Sequence, residues 1–279
     1  MRARPGPLVL AVGLLLATGA PAQAQGIGQF QSGDKPLEIT ANNGIEWHRN
    51  EKLYIARGNA RAAQGELAVL AEVLTARYRT GADGSTEIYR LEADGDVRMV
   101  STNETITADK GVYDLDKGVL VLTGDNLKLE TTDSVITARD SLEYWEEKQI
   151  AVARGDAIAL REDTELRADV LTAYFKPDAE DKLAINTVRA DGGVEIMTPE
   201  EFATGDTGIY YVTEELATLT GQVKITRGDN QLNGAYAEVN LKTGVSRLLA
   251  APPGASGGGD NRVRGLLLPE AEDDGAPKE

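Results

Sequence analysis

The chain has 279 residues with 29 basic and 45 acidic side chains, a formal net charge of −16, 30 glycines, few aromatic rings and no cysteine. Lack of cysteine excludes a disulfide scaffold, a zinc–cysteine site, a thiol nucleophile and a lipid-modified terminus, while acidity spread along the whole sequence argues against nucleic acid and against plain adsorption to anionic lipid. The length allows one large domain or two modest ones.

At the amino end, Arg2 and Arg4 precede an apolar run from Leu8 to Ala17, and Ala22-Gln23-Ala24 places small residues where a signal peptidase needs them. Residues 1–24 therefore read as a signal peptide cleaved after Ala24. The run is too short for a membrane-spanning helix, which needs about 20 apolar residues. The mature chain, with 27 basic against 45 acidic residues, would carry −18 and is expected in the periplasm. Residues 25–36 read as a linker.

From residue 37 the chain is a repeat. Glycines that open a Gly-x-apolar segment recur at Gly58, Gly95, Gly124, Gly155, Gly192 and Gly221, and a small residue, often followed by an acid, recurs at Ala71, Ala108, Ala138, Ala168, Gly205 and Gly234. The separations are 13, 13, 14, 13, 13 and 13. A longer period lies above this one: residues 37–78 align without gaps on 134–175, at an offset of 97, with fourteen identities in forty-two positions. The sequence thus predicts a duplicated module, 37–133 followed by 134–249, forming one continuous body because repeats bury their cores against neighbours. Longer connections predict matching hairpin extensions at Thr80–Thr86 and Lys176–Asn186.

Within each unit, alternation such as Val97, Met99 and Val223, Ile225, together with a Val, Ile, Thr and Tyr content, reads as β-strand. Local composition would allow a helix over Glu66–Arg77, but its counterpart Thr164–Tyr174 is more strand-like. Asp83-Gly84, Asp94-Gly95, Lys117-Gly118, Arg154-Gly155, Asp191-Gly192 and Arg227-Gly228 are taken as turns. The expectation is an all-β protein of about twenty short antiparallel strands spaced about ten residues apart. Ile39, Val69, Val97, Met99, Ile106, Leu129, Ile136, Leu166, Val194, Ile196, Val223, Ile225 and Leu232 are placed inward. Periodicity leaves open whether they fill a packed core or line an open groove.

Nothing points to catalysis, a metal or a cofactor. His48 in Trp47-His48-Arg49-Asn50 reads as an exposed hairpin tip, and Trp47 and Trp145 as caps on the repeat body. The acid pairs Asp114/Asp116 and Glu146/Glu147 fall in turns. Asp114-Leu115-Asp116-Lys117-Gly118 lacks the closing Glu of a calcium loop, and Gly26-Ile27-Gly28 and Gly257-Gly258-Gly259 do not lie between a strand and a helix. From 250 to 279 Pro, Gly and acidic residues predict a disordered tail, with Val263–Pro269 as an apolar patch best read as a final strand docked on the body.

Leu37-Glu38-Ile39-Thr40-Ala41-Asn42, Ala56-Arg57-Gly58-Asn59-Ala60, Ile106-Thr107-Ala108-Asp109 and Leu122-Thr123-Gly124-Asp125, following a signal segment, resemble the LptA/OstA family of periplasmic lipopolysaccharide transport proteins over residues 37 to about 249. The resemblance implies a twisted, open β-jellyroll whose interior groove shelters lipopolysaccharide acyl chains. It also implies end-to-end self-association and LptC-like and LptD-like β-jellyroll partners at the inner and outer membranes. A typical member has one repeated domain where this chain has two. The alternative from the residues alone is a structural β-repeat scaffold or adhesin with a closed core and no ligand.

Overall fold

The computed structural model describes residues 37–254, apart from 83, 180, 241 and 244, together with residues 262–266. The expected signal peptide, the linker and most of the tail lie outside the described residues. Every element among them is a strand: β1 (Glu38–Thr40), β2 (Ile45–His48), β3 (Leu53–Gln64), β4 (Leu67–Thr80), β5 (Thr86–Val100), β6 (Thr105–Asp114), β7 (Val119–Thr123), β8 (Lys128–Glu130), β9 (Ser134–Thr137), β10 (Ser141–Trp145), β11 (Ile150–Arg161), β12 (Thr164–Pro177), β13 (Leu183–Met197), β14 (Phe202–Tyr211), β15 (Leu216–Arg227), β16 (Asn230–Asn240), β17 (Val245–Leu249) and β18 (Arg264–Leu266). All eighteen belong to one antiparallel sheet. No helix among the described residues is long and apolar enough to cross a membrane.

The sheet is a ladder of bent rungs. Ten rungs are unbroken strands of 10–15 residues. Four are split in two: β1 and β2 both pair with β3, β7 and β8 with β6, β9 and β10 with β11, and β17 and β18 with β16. The eighteen strands match the expected all-β sheet of about twenty, but Gly95, Gly155 and Gly192, taken as turns, lie in mid-strand, so these strands run longer than expected. Gly58, Gly95, Gly155, Gly192 and Gly221 have φ between +78° and +82°, and the residue after each also has a positive φ, between +42° and +55°. At each the register slips by one; Gly58 and Asn59, for instance, lie between the pairs Arg57↔Val73 and Ala60↔Ala71. These are β-bulges, which bend a strand without ending it, and glycine reaches positive φ at no steric cost. Gly118 and Gly228 do sit in turns.

Each bulge divides its rung into a first limb and a second limb, whose side chains face one apolar interior. The residue two past the glycine forms the inner corner: Ala60, Val97, Ala157, Val194 and Val223 are only 0–2% exposed. Directly opposite them in the ladder stand the small markers Ala71, Ala108, Ala168, Gly205 and Gly234. The corner explains why they are small. A Cβ on Gly205 would come within 2.7 Å of Leu219 Cγ and 3.1 Å of the Thr220 carbonyl oxygen.

The acids that follow the markers also gain a reason. Side chains of Glu72, Asp109, Asp140, Asp169 and Asp206 lie directly over Gly95, Gly124, Gly155, Gly192 and Gly221 of the next rung, filling the space that a Cβ would need. Asp109 Oδ2 also accepts the Asp125 N–H at 2.7 Å. The hairpin extensions form as β4–β5 and β12–β13, closed by Gly81 N–H to Ser85 O and Asp178 N–H to Lys182 O. In the tail, the final strand expected at Val263–Pro269 is described over Arg264–Leu266, where β18 pairs with Gln231–Asn233 of β16 and covers an edge that would otherwise be unpaired.

Candidate apolar cleft

Packing of the interior is unequal along the ladder. In the first module it opens into a cleft of about 850 Å³, counting its open mouth. First limbs contribute Ile45, Tyr54, Ala56, Leu74, Leu91, Ala93, Leu120 and Leu122, and second limbs Ala62, Val69, Val97 and Met99, with Leu37 and Ile39 at the end. Glu92 is the one charged residue in the wall, and its carboxylate is held by Arg77 and Arg90, at 3.1 and 2.7 Å. Burial pushes its pKa up, but the two guanidiniums outweigh that and hold it below the usual range.

Of the thirteen residues placed inward by the sequence, Ile39, Val69, Val97 and Met99 line this cleft. Ile106, Leu166, Val194, Ile196, Val223 and Ile225 are buried in the continuous core, and Leu129, Ile136 and Leu232 pack against it. Residues that the sequence reading missed lie two and four positions before each glycine, on the first limb: Ala56 and Tyr54, Ala93 and Leu91, Leu122 and Leu120. The signal was present, since this pattern mirrors the one read after the glycine.

At the offset of 97 the second module presents almost the same wall, with Leu142 for Ile45, Leu171 for Leu74, Val188 for Leu91, Val194 for Val97 and Ile196 for Met99. Yet Ile45 is 53% exposed and Leu142 8%. Leu142 lies between Leu122 of β7 and Ala153 of β11, whereas β2 has β3 as its one partner strand. Among the described residues no rung lies on the other side of β2, and the cleft opens there.

An aromatic stack runs from the cleft wall, at Tyr54, to the β2–β3 hairpin. Trp47 lies on Tyr54 at 5.7 Å and Tyr54 against Tyr78 at 5.1 Å, centre to centre, while Trp47 Nε1 donates to Tyr78 Oη at 2.8 Å. The Arg49 guanidinium covers the Trp47 ring at 4.2 Å. His48 takes no part in this. Its Nε2 is 2.7 Å from Glu46 Oε2, a hydrogen bond that raises its pKa, and Glu46 also accepts from Arg57 Nε at 3.0 Å. Trp145, expected as a cap, donates to Glu143 at 3.0 Å and is covered by Lys148 at 3.9 Å.

Three further polar groups touch the interior. Tyr113, in the cleft wall, donates to Glu146 at 2.5 Å; burial first and this carboxylate second push its pKa up. Glu104, in the turn between β5 and β6, has its pKa pushed up to about 7 by burial. Glu201, its counterpart at the offset of 97, is buried at 6% exposure, with Oε1 3.7 Å from Arg227 and Oε2 without a hydrogen-bond partner. No group of three or more metal-ligating residues could hold an ion among the described residues. The arrangement suits an apolar chain.

A family model described as LptA/(LptD N-terminal domain) LPS transport protein matches the chain twice, at residues 38–144 and 136–245. An uncharacterized protein of Rhizobium meliloti (strain 1021) is 28% identical over 128 residues, covering 43% of this chain and 68% of that one. The crystal structure of LptH, the LptA-homologous periplasmic component of the conserved lipopolysaccharide transport device of Pseudomonas aeruginosa, is 20% identical with a TM-score of 0.42, covering 49% of this chain and 95% of that one.

Proposed function

The chain belongs to the family of LptA and LptD N-terminal-domain lipopolysaccharide transport proteins, and from that premise we propose that it carries lipopolysaccharide across the periplasm with acyl chains sheltered in the first-module cleft. The observation that carries this reading is a cleft walled by apolar side chains and left open at one end of the ladder. Each methylene removed from water contributes about 0.8 kcal/mol, so covering half of a twelve-carbon chain gives roughly 5 kcal/mol before ordering costs. That strength holds a lipid and still lets it pass on. The family is one of transport proteins, and the cleft needs no reacting group.

In the same reading the terminal rungs, β1–β2 and β17–β18, offer unpaired backbone groups to LptC-like and LptD-like partners or to a second copy by strand addition. The sealed second module favours a secondary part for that half as a spacer that extends the bridge. Photocrosslinking residues at Leu91 and Met99, inside, and at Arg90 and Arg98, outside, test the proposal in cells. Adducts with lipopolysaccharide are expected from the inner pair. Adducts from the outer pair alone would overturn it.

A further inference from the structure

Arg49 has no role in the reading above. It lies on the hairpin between β2 and β3, outermost in a stack that runs from its guanidinium through Trp47 to Tyr54, a residue of the cleft wall. Among the described residues no carboxylate pairs with it, although fourteen other arginines and lysines do find acids. The neighbouring acids are engaged: Glu46 by Arg57 and His48, and Glu51 by His48 Nδ1 at 3.6 Å. At the offset of 97 the second module carries Glu146, turned onto Tyr113. The charge at this corner thus changes sign between the modules, and the cation stands at the one that is open.

A guanidinium laid on an indole has lost part of its side-chain freedom already, and its donors remain unfilled. Such a fork matches the oxygens of a phosphate far better than it matches water. A net charge of −16 disfavours a phosphate over most of the surface, whereas at this hairpin the nearby acids Glu46 and Glu51 are already paired and leave Arg49 to an outside anion. We infer that the Arg49–Trp47 stack seats the phosphate of an amphiphile whose alkyl chain fills the first-module cleft. This rests on the cleft reading and adds to it the position and chemistry of the headgroup.

The test uses the full mature chain and three probes below their micelle concentrations: dodecyl phosphate, dodecyl maltoside and inorganic phosphate. Binding is read by calorimetry and, in a Trp145→Phe background, by the fluorescence of Trp47. Dodecyl phosphate is expected to bind about tenfold tighter than the maltoside, the gain of a charge-assisted contact, and inorganic phosphate not measurably. Arg49→Ala should erase the preference while leaving the maltoside affinity unchanged, Arg49→Lys should keep part of it, and Arg98→Ala, a cation on the outer face, should keep all of it. Equal affinity of the wild type for both amphiphiles, a preference that survives Arg49→Ala, or its loss in Arg98→Ala would overturn the headgroup site and leave the cleft reading standing. Tight binding of inorganic phosphate would overturn it too, by making the site independent of the cleft. If the wild type binds neither amphiphile, the cleft reading fails first and this inference with it.

Discussion

The two modules present nearly the same inward side chains, yet one holds a cleft and the other a sealed core. What differs is a neighbour. Leu142 is covered because β7 lies beside β10, and among the described residues β2 has β3 on one side and no strand on the other, which leaves Ile45 uncovered. In a stacked sheet, access to the interior is thus a property of position in the stack, whereas the chemistry of the wall is a property of the sequence. A single sequence module can serve as packing in one place and as a binding surface in another.

The sharpest way to break the comparison is to place the same charge in both modules. Val194→Asp, at the closed inner corner, should cost at least about 4 kcal/mol and abolish cooperative unfolding, since the carboxylate would be buried without a partner. A smaller effect is expected at the opposite side of that corner. Gly205→Ala brings a methyl against Leu219 and the Thr220 carbonyl, and should lower stability by about 1–3 kcal/mol in denaturant titration; its first-module counterpart is already Ala108, so Ala108→Gly should cost about 1 kcal/mol or less.

Smaller again is a pH effect. Glu104 has a folded-state pKa above the ordinary 4.5, at about 7, so the folded chain binds its proton more tightly than the unfolded chain. Its contribution is present below about pH 4.5 and is lost as pH rises toward and through 7. Glu104→Gln should flatten the decline in thermal midpoint between pH 5 and pH 8, by about 1–2 kcal/mol after allowing for screening by solvent. The smallest stability effect belongs to Ile45→Asp, under about 1 kcal/mol because half of the side chain is already in water. The same substitution should abolish uptake of an alkyl probe, separating position from chemistry at the open end.

Much of the architecture could be read from residue spacing. The 13-residue interval from glycine to small marker is the path from one corner down the second limb and back to the next corner, and the offset of 97 is the repeat of the stack. Glu66–Arg77, whose composition allows a helix, runs from the turn at Glu66 into β4, just as its counterpart Thr164–Tyr174 lies in β12. Mid-strand glycines escaped because Asp94-Gly95 and Arg154-Gly155 look locally like Lys117-Gly118; a bulge and a hairpin both need positive φ. Openness is not legible either, because among the described residues it comes from β2 pairing with β3 alone, which is a property of the stack and not of any one side chain. At the hairpin tip His48 is the familiar acid–base group in the sequence, whereas the geometry draws Arg49 onto Trp47.

The acids seated over the glycines carry one further consequence. Asp140 over Gly155, Asp169 over Gly192 and Asp206 over Gly221 each key one strand into the next like teeth of a zip, and at Gly155 and Gly221 a slip by a single residue in either direction would bring the tooth against a side chain where it now meets none. The series stops where Ala235 follows Gly234, so the last slot is never offered a tooth. Growth of such a molecule is quantised: residues can be gained in the hairpin tips at will, but the trough itself lengthens only by whole toothed steps, which is how a duplication of 97 residues could double it without disturbing a single pairing.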